Sequence, residues 1–84
     1  MERKYLVNEI VSFGFKYGLF NKSIKASEIK SKINEGLQNS EFIENLINTI
    51  ILTAKKRKNI DVRRLKELLF ELDKLRLDLE YKER

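Results

Sequence analysis

Proline is absent from this chain of 84 residues, and glycine occurs only at Gly14, Gly18 and Gly36. Because proline removes a helix hydrogen bond and clashes with the preceding turn, its absence leaves long helices unopposed. Tight β-hairpins, in contrast, lack the glycine and proline residues on which their turns depend. This scarcity predicts an all-α chain whose breaks fall near the glycines and in short polar stretches.

The repeat of apolar residues predicts four helical segments, at about residues 2–17, 24–37, 41–57 and 62–81. Residues that favour turns or helix N-termini stand before the last three segments: Asn21 and Ser23, Asn39 and Ser40, and Asp61. Residues 47–53 also fit a buried strand, but the flanking caps and the length favour a helix. Since each segment has an apolar stripe to cover, we expect one domain over residues 1–84, a small antiparallel four-helix bundle.

The last segment has the most regular pattern, because its leucines alternate spacings of three and four residues. These leucines are Leu65, Leu68, Leu72, Leu75 and Leu79. Such a stripe either packs into the core of a single chain or forms the seam of a coiled-coil dimer. The stripe is short for a coiled coil, so we expect it to belong to the core of a monomer.

Four aromatic residues lie close together in the sequence around the end of the first segment: Phe13, Phe15, Tyr17 and Phe20. Few polar residues that could orient a ligand stand beside them, so packing into the core is favoured over a ligand pocket. Partial exposure of Phe15 or Phe20 would favour the pocket instead.

Composition restricts the chemistry that the chain can perform. There is no cysteine and no histidine, which removes disulfides, thiolate metal sites, the commonest general base and the commonest metal ligand. A domain of this size buries only about 60% of its unfolded surface, which leaves little room for a deep substrate cleft. No glycine-rich phosphate loop or metal-ligand cluster is present in the sequence. We therefore expect a binding protein and not an enzyme, with no cofactor and no metal.

Apolar stretches in this chain are short. None near the N-terminus has the length of a signal-peptide core, and the richest window, residues 42–54, contains Glu44 and Asn45. That window falls short of the roughly 20 apolar residues that a membrane span needs. We expect a cytoplasmic protein, either free or in peripheral contact with the inner face of the membrane.

Basic residues outnumber acidic ones and give a formal net charge of +5. A dense run ends the third segment and continues across the turn: Lys55, Lys56, Arg57, Lys58, Arg63 and Arg64. This basic run could bind a protein, an anionic membrane surface or nucleic-acid phosphates, or it could be a solvated helix end. We predict a partner-binding region that joins the basic run to the surface of the last helix. The residues predicted there are Lys74, Arg76, Tyr81, Lys82 and Arg84.

A helix-turn-helix over residues 27–53 fits poorly. The position after Ile29, where close crossing of the two helices needs a small residue, is Lys30. Glu41 and Glu44 stand where a recognition helix would contact DNA, and acidic residues repel phosphates. DNA binding is therefore the least favoured of the binding functions.

Residues 37–43, Leu-Gln-Asn-Ser-Glu-Phe-Ile, follow a basic amphipathic segment and precede an apolar one. Together with residues 7–10, Val-Asn-Glu-Ile, and the polar turn at residues 58–61, they resemble the immunity proteins of class II bacteriocins of the lactococcin-like and pediocin-like types. The resemblance implies a cytoplasmic four-helix bundle that protects a bacteriocin producer. Such a protein engages the complex of the bacteriocin with its receptor, a membrane sugar permease, from the cytoplasmic side. A small phage or plasmid-type regulator that binds another protein is the alternative.

Overall fold

A computed structural model describes residues 2–82, and all regular secondary structure in this range is helical. The four helices are α1 (Arg3–Lys16), α2 (Ala26–Gly36), α3 (Ser40–Lys56) and α4 (Val62–Lys82). The predicted all-α class and its four segments are confirmed, and each helix end lies within two residues of its predicted position. None of these helices combines the length and the apolar content that are needed to cross a membrane.

Side-chain caps begin two of the helices. The Asn39 side-chain oxygen accepts hydrogen bonds from the backbone N–H groups of Glu41 and Phe42, at 2.9 and 3.3 Å, and so starts α3. The Asp61 carboxylate accepts from the Arg64 backbone N–H at 3.2 Å and starts α4. Asn21 instead accepts two hydrogen bonds from Ser23, which orders a turn ahead of α2. These polar residues set the breaks between the helices.

Gly18 ends α1. Its φ of 74° lies in the left-handed region that favours glycine, and the Leu19 N–H donates to the Gly14 carbonyl at 2.7 Å. This pairing, six residues to one, is that of the Schellman motif at helix C-termini. The motif reverses the chain, so Leu19 and Phe20 pack back against the core.

The core draws on every helix. Its buried members are Leu6, Val7, Ile10, Val11, Ile29, Ile33, Leu37, Ile43, Leu46, Ile50, Leu68 and Leu72. Of the leucine stripe, Leu68 and Leu72 are buried, and the other three leucines are half-buried against the same core. The prediction that the stripe belongs to the core is therefore confirmed.

Helix α1 packs against α2 and α4, and α3 packs against α4. Long-range hydrogen bonds from arginines to carbonyls join the helices further. Arg3 donates to the Leu37 carbonyl and Arg57 to the Tyr17 carbonyl, each at 3.2 Å. Helices α2 and α3, in contrast, make little direct backbone contact. An opening in the helical packing lies between them.

Candidate functional site: an apolar groove

An apolar groove of about 420 Å³ lies between α2 and α3 and is open to solvent. The connection between α1 and α2 forms one of its walls. Its apolar lining residues are Leu19, Phe20, Ile24, Ile29, Ile33, Phe42 and Leu46. Its polar lining residues are Asn21, Lys32, Asn45 and Thr49. A concave, largely apolar surface of this size with a few polar groups is typical of a ligand-binding site.

Two glycines make room for the aromatic walls of the groove. The Phe20 ring lies directly against Gly14, and the Phe42 ring lies against Gly36, so a Cβ at either glycine would overlap the ring. Each phenylalanine follows its glycine by six residues. Since each glycine belongs to a helix, the two rings lie directly against the backbones of α1 and α2.

Phe20 belongs both to the aromatic cluster and to the wall of the groove. Phe13, Phe15 and Phe20 pack against the core as predicted. The ring centroids are 4.6 Å apart for Phe13 and Tyr17 and 5.8 Å apart for Phe15 and Phe20. Phe20 is also half-buried and forms a wall of the groove, and this partial exposure favours a pocket beside the cluster. A ring packed on its inner side against the core can offer its outer edge to a ligand.

The rim of the groove is polar on both helices. On α2 the rim residue is Lys32, the only charged residue among those that line the groove in the described part of the chain. On α3 the Thr49 hydroxyl donates to the Asn45 carbonyl at 2.8 Å, which leaves its oxygen able to accept. Leu52 and Lys56 follow Asn45 and Thr49 by seven residues each, so they continue the same face of α3. Leu52 is 58% exposed, so this face of α3 continues beyond the groove with an apolar side chain and a cation.

The basic run divides into two kinds of residue. Lys55, Lys56 and Lys58 are exposed at the end of α3 and in the turn that follows. The arginines have partners within the chain: Arg63 lies 4.0 Å from the Glu67 carboxylate, and Arg57 binds the carbonyl at the end of α1. The lysines are the members of the run that are available for a partner.

Arg64 joins α4 to α1. Its guanidinium donates to both carboxylate oxygens of Glu9 at 2.9 Å. This hydrogen bonding, with the negative charge of Glu9, raises the pKa of Arg64 above its already high ordinary value. The residue predicted to contact a partner is therefore engaged in a contact between two helices.

Predicted site residues on α4 divide in the same way. Arg76 binds Asp73 at 2.7 Å and Glu80 at 3.0 Å, and its hydrogen bond with Asp73 is the main cause that raises its pKa. Lys74 and Lys82 are exposed, and Tyr81 is 83% exposed. Arg84 lies outside the described residues. The exposed outer surface of α4 is thus distinct from the groove, and of the predicted residues only Lys56 lies on the face of α3 that borders the groove.

Comparison with known protein families, with characterised proteins and with solved structures gave no match for this chain. Across residues 2–82, no three acidic side chains come together in a way that could hold a metal ion. The groove is consequently the feature that carries the functional argument.

Proposed function

We propose that this protein is a non-enzymatic binding protein whose groove between α2 and α3 holds the apolar face of an amphipathic helix from another protein or peptide. The observation that carries the proposal is the groove itself, whose aromatic walls lie against glycines. It is open to solvent and has seven apolar lining residues, of which Leu19, Phe20, Ile24 and Phe42 are only half-buried. A groove between two helices accepts a third helix whose apolar residues recur every three or four positions. The exposed Leu52 lengthens the apolar surface along α3, as an elongated partner requires.

The positive charge at the rim of the groove favours a partner helix that has acidic residues on either side of its apolar stripe. Lys32 lines the groove on α2, and Lys56 continues the groove face of α3. A helix with acidic residues beside its apolar stripe would place carboxylates near both lysines, whereas a basic helix would be repelled. We therefore propose an acid-flanked amphipathic helix as the occupant.

The helix arrangement that we infer is the antiparallel bundle. Arg3 at the start of α1 binds the carbonyl of Leu37 just after α2, which supports opposite directions for these two helices. Arg57 after α3 binds the carbonyl of Tyr17 just after α1, which supports a common direction for α1 and α3. In such a bundle the groove runs along about two turns of α3, from Phe42 to Thr49, and about one turn of α2, from Ile29 to Ile33.

The resemblance to class II bacteriocin immunity proteins supplies a biological role for this binding. In that role the protein is cytoplasmic, and its groove takes a helical segment of the complex formed by the bacteriocin and its receptor permease. The regulator alternative uses the same groove for a segment of a soluble protein. Both roles share the binding chemistry and differ in the partner.

A bulky side chain placed in the groove tests the binding site. Thr49→Trp puts an indole into the groove from an exposed position, while Asn48→Trp puts the same group on a neighbouring face of α3 that does not line it. The probe is 1-anilinonaphthalene-8-sulfonate, whose apolar rings and anionic group suit the apolar lining and Lys32. We expect the original chain and Asn48→Trp to bind the probe and Thr49→Trp to lose binding at least about tenfold, with cooperative melting retained in all three. If the two variants bind the probe equally, the groove is not the binding site.

Two designed peptides test the partner. They have the same length and the same leucine face, and their polar faces carry either glutamate or lysine. We expect the acidic peptide to displace the probe at lower concentration than the basic one, and the difference to shrink at high salt. A preference for the basic peptide would contradict the proposed partner.

Challenge of living cells tests the biological role. The chain and the two tryptophan variants are expressed in a bacteriocin-sensitive lactic acid bacterium, which is then exposed to a panel of class II bacteriocins. Immunity predicts resistance to one peptide with the original chain and with Asn48→Trp, and its loss with Thr49→Trp. Uniform sensitivity, with expression confirmed, would favour the regulator while leaving the groove result unaffected.

A further inference from the structure

Two of the three glycines belong to helices whose backbone does not require glycine. Among the described residues only Gly18 has a positive φ, so the helical conformations of Gly14 in α1 and Gly36 at the end of α2 are open to any residue. Glycine weakens a helix relative to alanine, because ordering its freer backbone costs more entropy. The reason for these two glycines lies in the side chains that pack on them.

The same contact occurs at both positions. The three atoms nearest to a Cβ added at Gly14 all belong to the Phe20 ring, and those nearest to a Cβ added at Gly36 all belong to the Phe42 ring. In each case the Cβ would overlap the far edge of the ring, which is the part of a phenylalanine side chain that can swing. A methyl group at either glycine would therefore displace the ring from the helix.

Both rings line the groove and are half-buried. Each ring thus has a glycine backbone on one side and the groove on another, so a ring that is moved off its helix takes up space in the groove. Gly14 and Gly36 consequently set how much of the groove the walls formed by Phe20 and Phe42 leave open.

From these contacts we propose that Gly14 and Gly36 are specificity-determining residues, which keep the groove wide enough for a large aromatic side chain of the partner helix. This inference rests on the proposed function, because it concerns the side chain that the bound helix inserts. An apolar cavity of about 150 Å³ holds a benzene molecule, and the groove has about 420 Å³. An inserted ring would also contact Phe20 or Phe42, and aromatic pairs are favourable beyond the area that they bury.

The repetition of the contact distinguishes this role from core packing alone. One ring against one glycine is an ordinary way to fill a core. Here the contact occurs on two helices with the same spacing of six residues, and both rings line a single groove. A role confined to the core predicts rings that are covered on all sides, whereas Phe20 and Phe42 both keep exposed surface.

Three designed peptides test the inference on the original chain. They share their length, an acidic polar face and a leucine face, and differ at one central apolar position, which is tryptophan, leucine or alanine. Titration calorimetry measures the dissociation constants. We expect affinity to rise with side-chain size, and the tryptophan peptide to bind at least about tenfold more tightly than the alanine peptide. Equal affinities would overturn the inference and leave the proposed function intact, whereas no binding by any of the peptides would contradict both.

Alanine at the glycine positions should narrow the groove. We expect Gly36→Ala, and likewise Gly14→Ala, to reduce the preference for tryptophan over alanine to below about threefold, mainly through weaker binding of the tryptophan peptide. Asn34→Ala is the matched control, because Asn34 is exposed on α2 and does not line the groove, and it should keep the full preference. An unchanged preference in both glycine variants would overturn the inference.

A second substitution separates the width of the groove from damage to the fold. In Gly36→Ala with Phe42→Leu the smaller side chain leaves room for the methyl group, so the preference for the tryptophan peptide should return to within about twofold of the original. Gly14→Ala with Phe20→Leu is the equivalent pair. Circular dichroism melts establish that each pair is folded. If the folded pairs keep the reduced preference, the rings do not set the width of the groove and the inference fails.

Discussion

The two sides of α3 differ in how they are covered. Toward α4 the helix is packed closely, and Ile50 and Leu72 have no exposed surface. Toward α2 the helix borders an open groove in which Phe42 and Thr49 are in reach of solvent. One side of the same helix is thus part of the core, and the other side is a candidate binding surface.

The length and composition of the neighbouring helices explain this difference. Helix α4 has 21 residues and a continuous leucine stripe, and it packs against α3. Helix α2 has 11 residues, of which only Ile29 and Ile33 are buried, and it packs on α1. Too little apolar surface is left on α2 to close against α3 as well. In a domain this small, a short helix with a narrow stripe leaves an opening that a partner can fill.

The largest loss of stability should come from a charge placed in the closely packed contact between α3 and α4. Leu72→Asp puts a carboxylate where no surface is exposed, and we expect a loss of more than about 4 kcal/mol with no cooperative thermal transition. Leu77→Asp on the same helix is the control, because Leu77 is half exposed, and should cost about 0.5 kcal/mol through helix propensity. Circular dichroism melts measure both. Similar melts for the two variants would show that the inner and outer faces of α4 do not differ as described.

Removal of side chains should sharpen the comparison of the two sides. Ile50→Ala leaves a cavity on the closed side and should reduce the free energy of unfolding by about 2–5 kcal/mol in urea titrations. Ile24→Ala removes a half-buried side chain from the groove wall and should cost about 1 kcal/mol. If the two variants lose the same free energy of unfolding, Ile24 is as fully packed as Ile50, and the groove is closed in solution.

A substitution in the turn after α1 should lower both the free energy of unfolding and the affinity of the groove for the probe. Gly18→Ala forces a residue with a Cβ into the left-handed region and should lower the unfolding free energy by about 1 kcal/mol. Because this turn places Leu19 and Phe20 in the groove wall, binding of the fluorescent probe should weaken as well. Gly18→Asn is the control, since asparagine tolerates this conformation better. If the alanine variant binds the probe as well as the original chain does, the conformation of the turn does not determine the shape of the groove.

The smallest effect should come from the lysines at the end of α3. Lys56→Ala should weaken binding of the acidic peptide about two- to fivefold, the usual contribution of an exposed ion pair, with unchanged melting. Lys55→Ala lies on another face of α3 and should have no such effect on binding. Titration calorimetry compares the two. Equal weakening would show that the basic run acts as diffuse positive charge and not through the groove rim.

Much of the fold was predictable because its signals are local. The caps Asn39 and Asp61 act on backbone groups two to three residues away, and the leucine stripe repeats within a single helix. The absence of proline acts along the whole chain in the same way. Each of these features can be evaluated from neighbouring residues without knowing where distant ones lie.

The candidate site was not predictable to the same extent, because its parts are distant in sequence. The groove joins Phe20, Lys32 and Thr49 from three parts of the chain, and no local pattern states that α2 leaves α3 uncovered. One local signal existed, namely a glycine inside a helix followed six residues later by phenylalanine, at Gly14 and again at Gly36. The sequence analysis interpreted these glycines only as positions near helix ends. In the structure they also leave space for the phenylalanine rings.

Charged residues show the same division. The sequence by itself determined the all-α class, the four helices, the excess of positive charge and the leucine stripe of α4, since these depend on composition and on short-range periodicity. Tertiary structure alone decided which arginines are held by Glu9 and by the carbonyls of Leu37 and Tyr17, and which lysines stay exposed. Long-range packing selects the neighbours of each side chain. Residues of the same charge therefore have different roles: some arginines join two elements of the fold, and the exposed lysines are candidate binding groups.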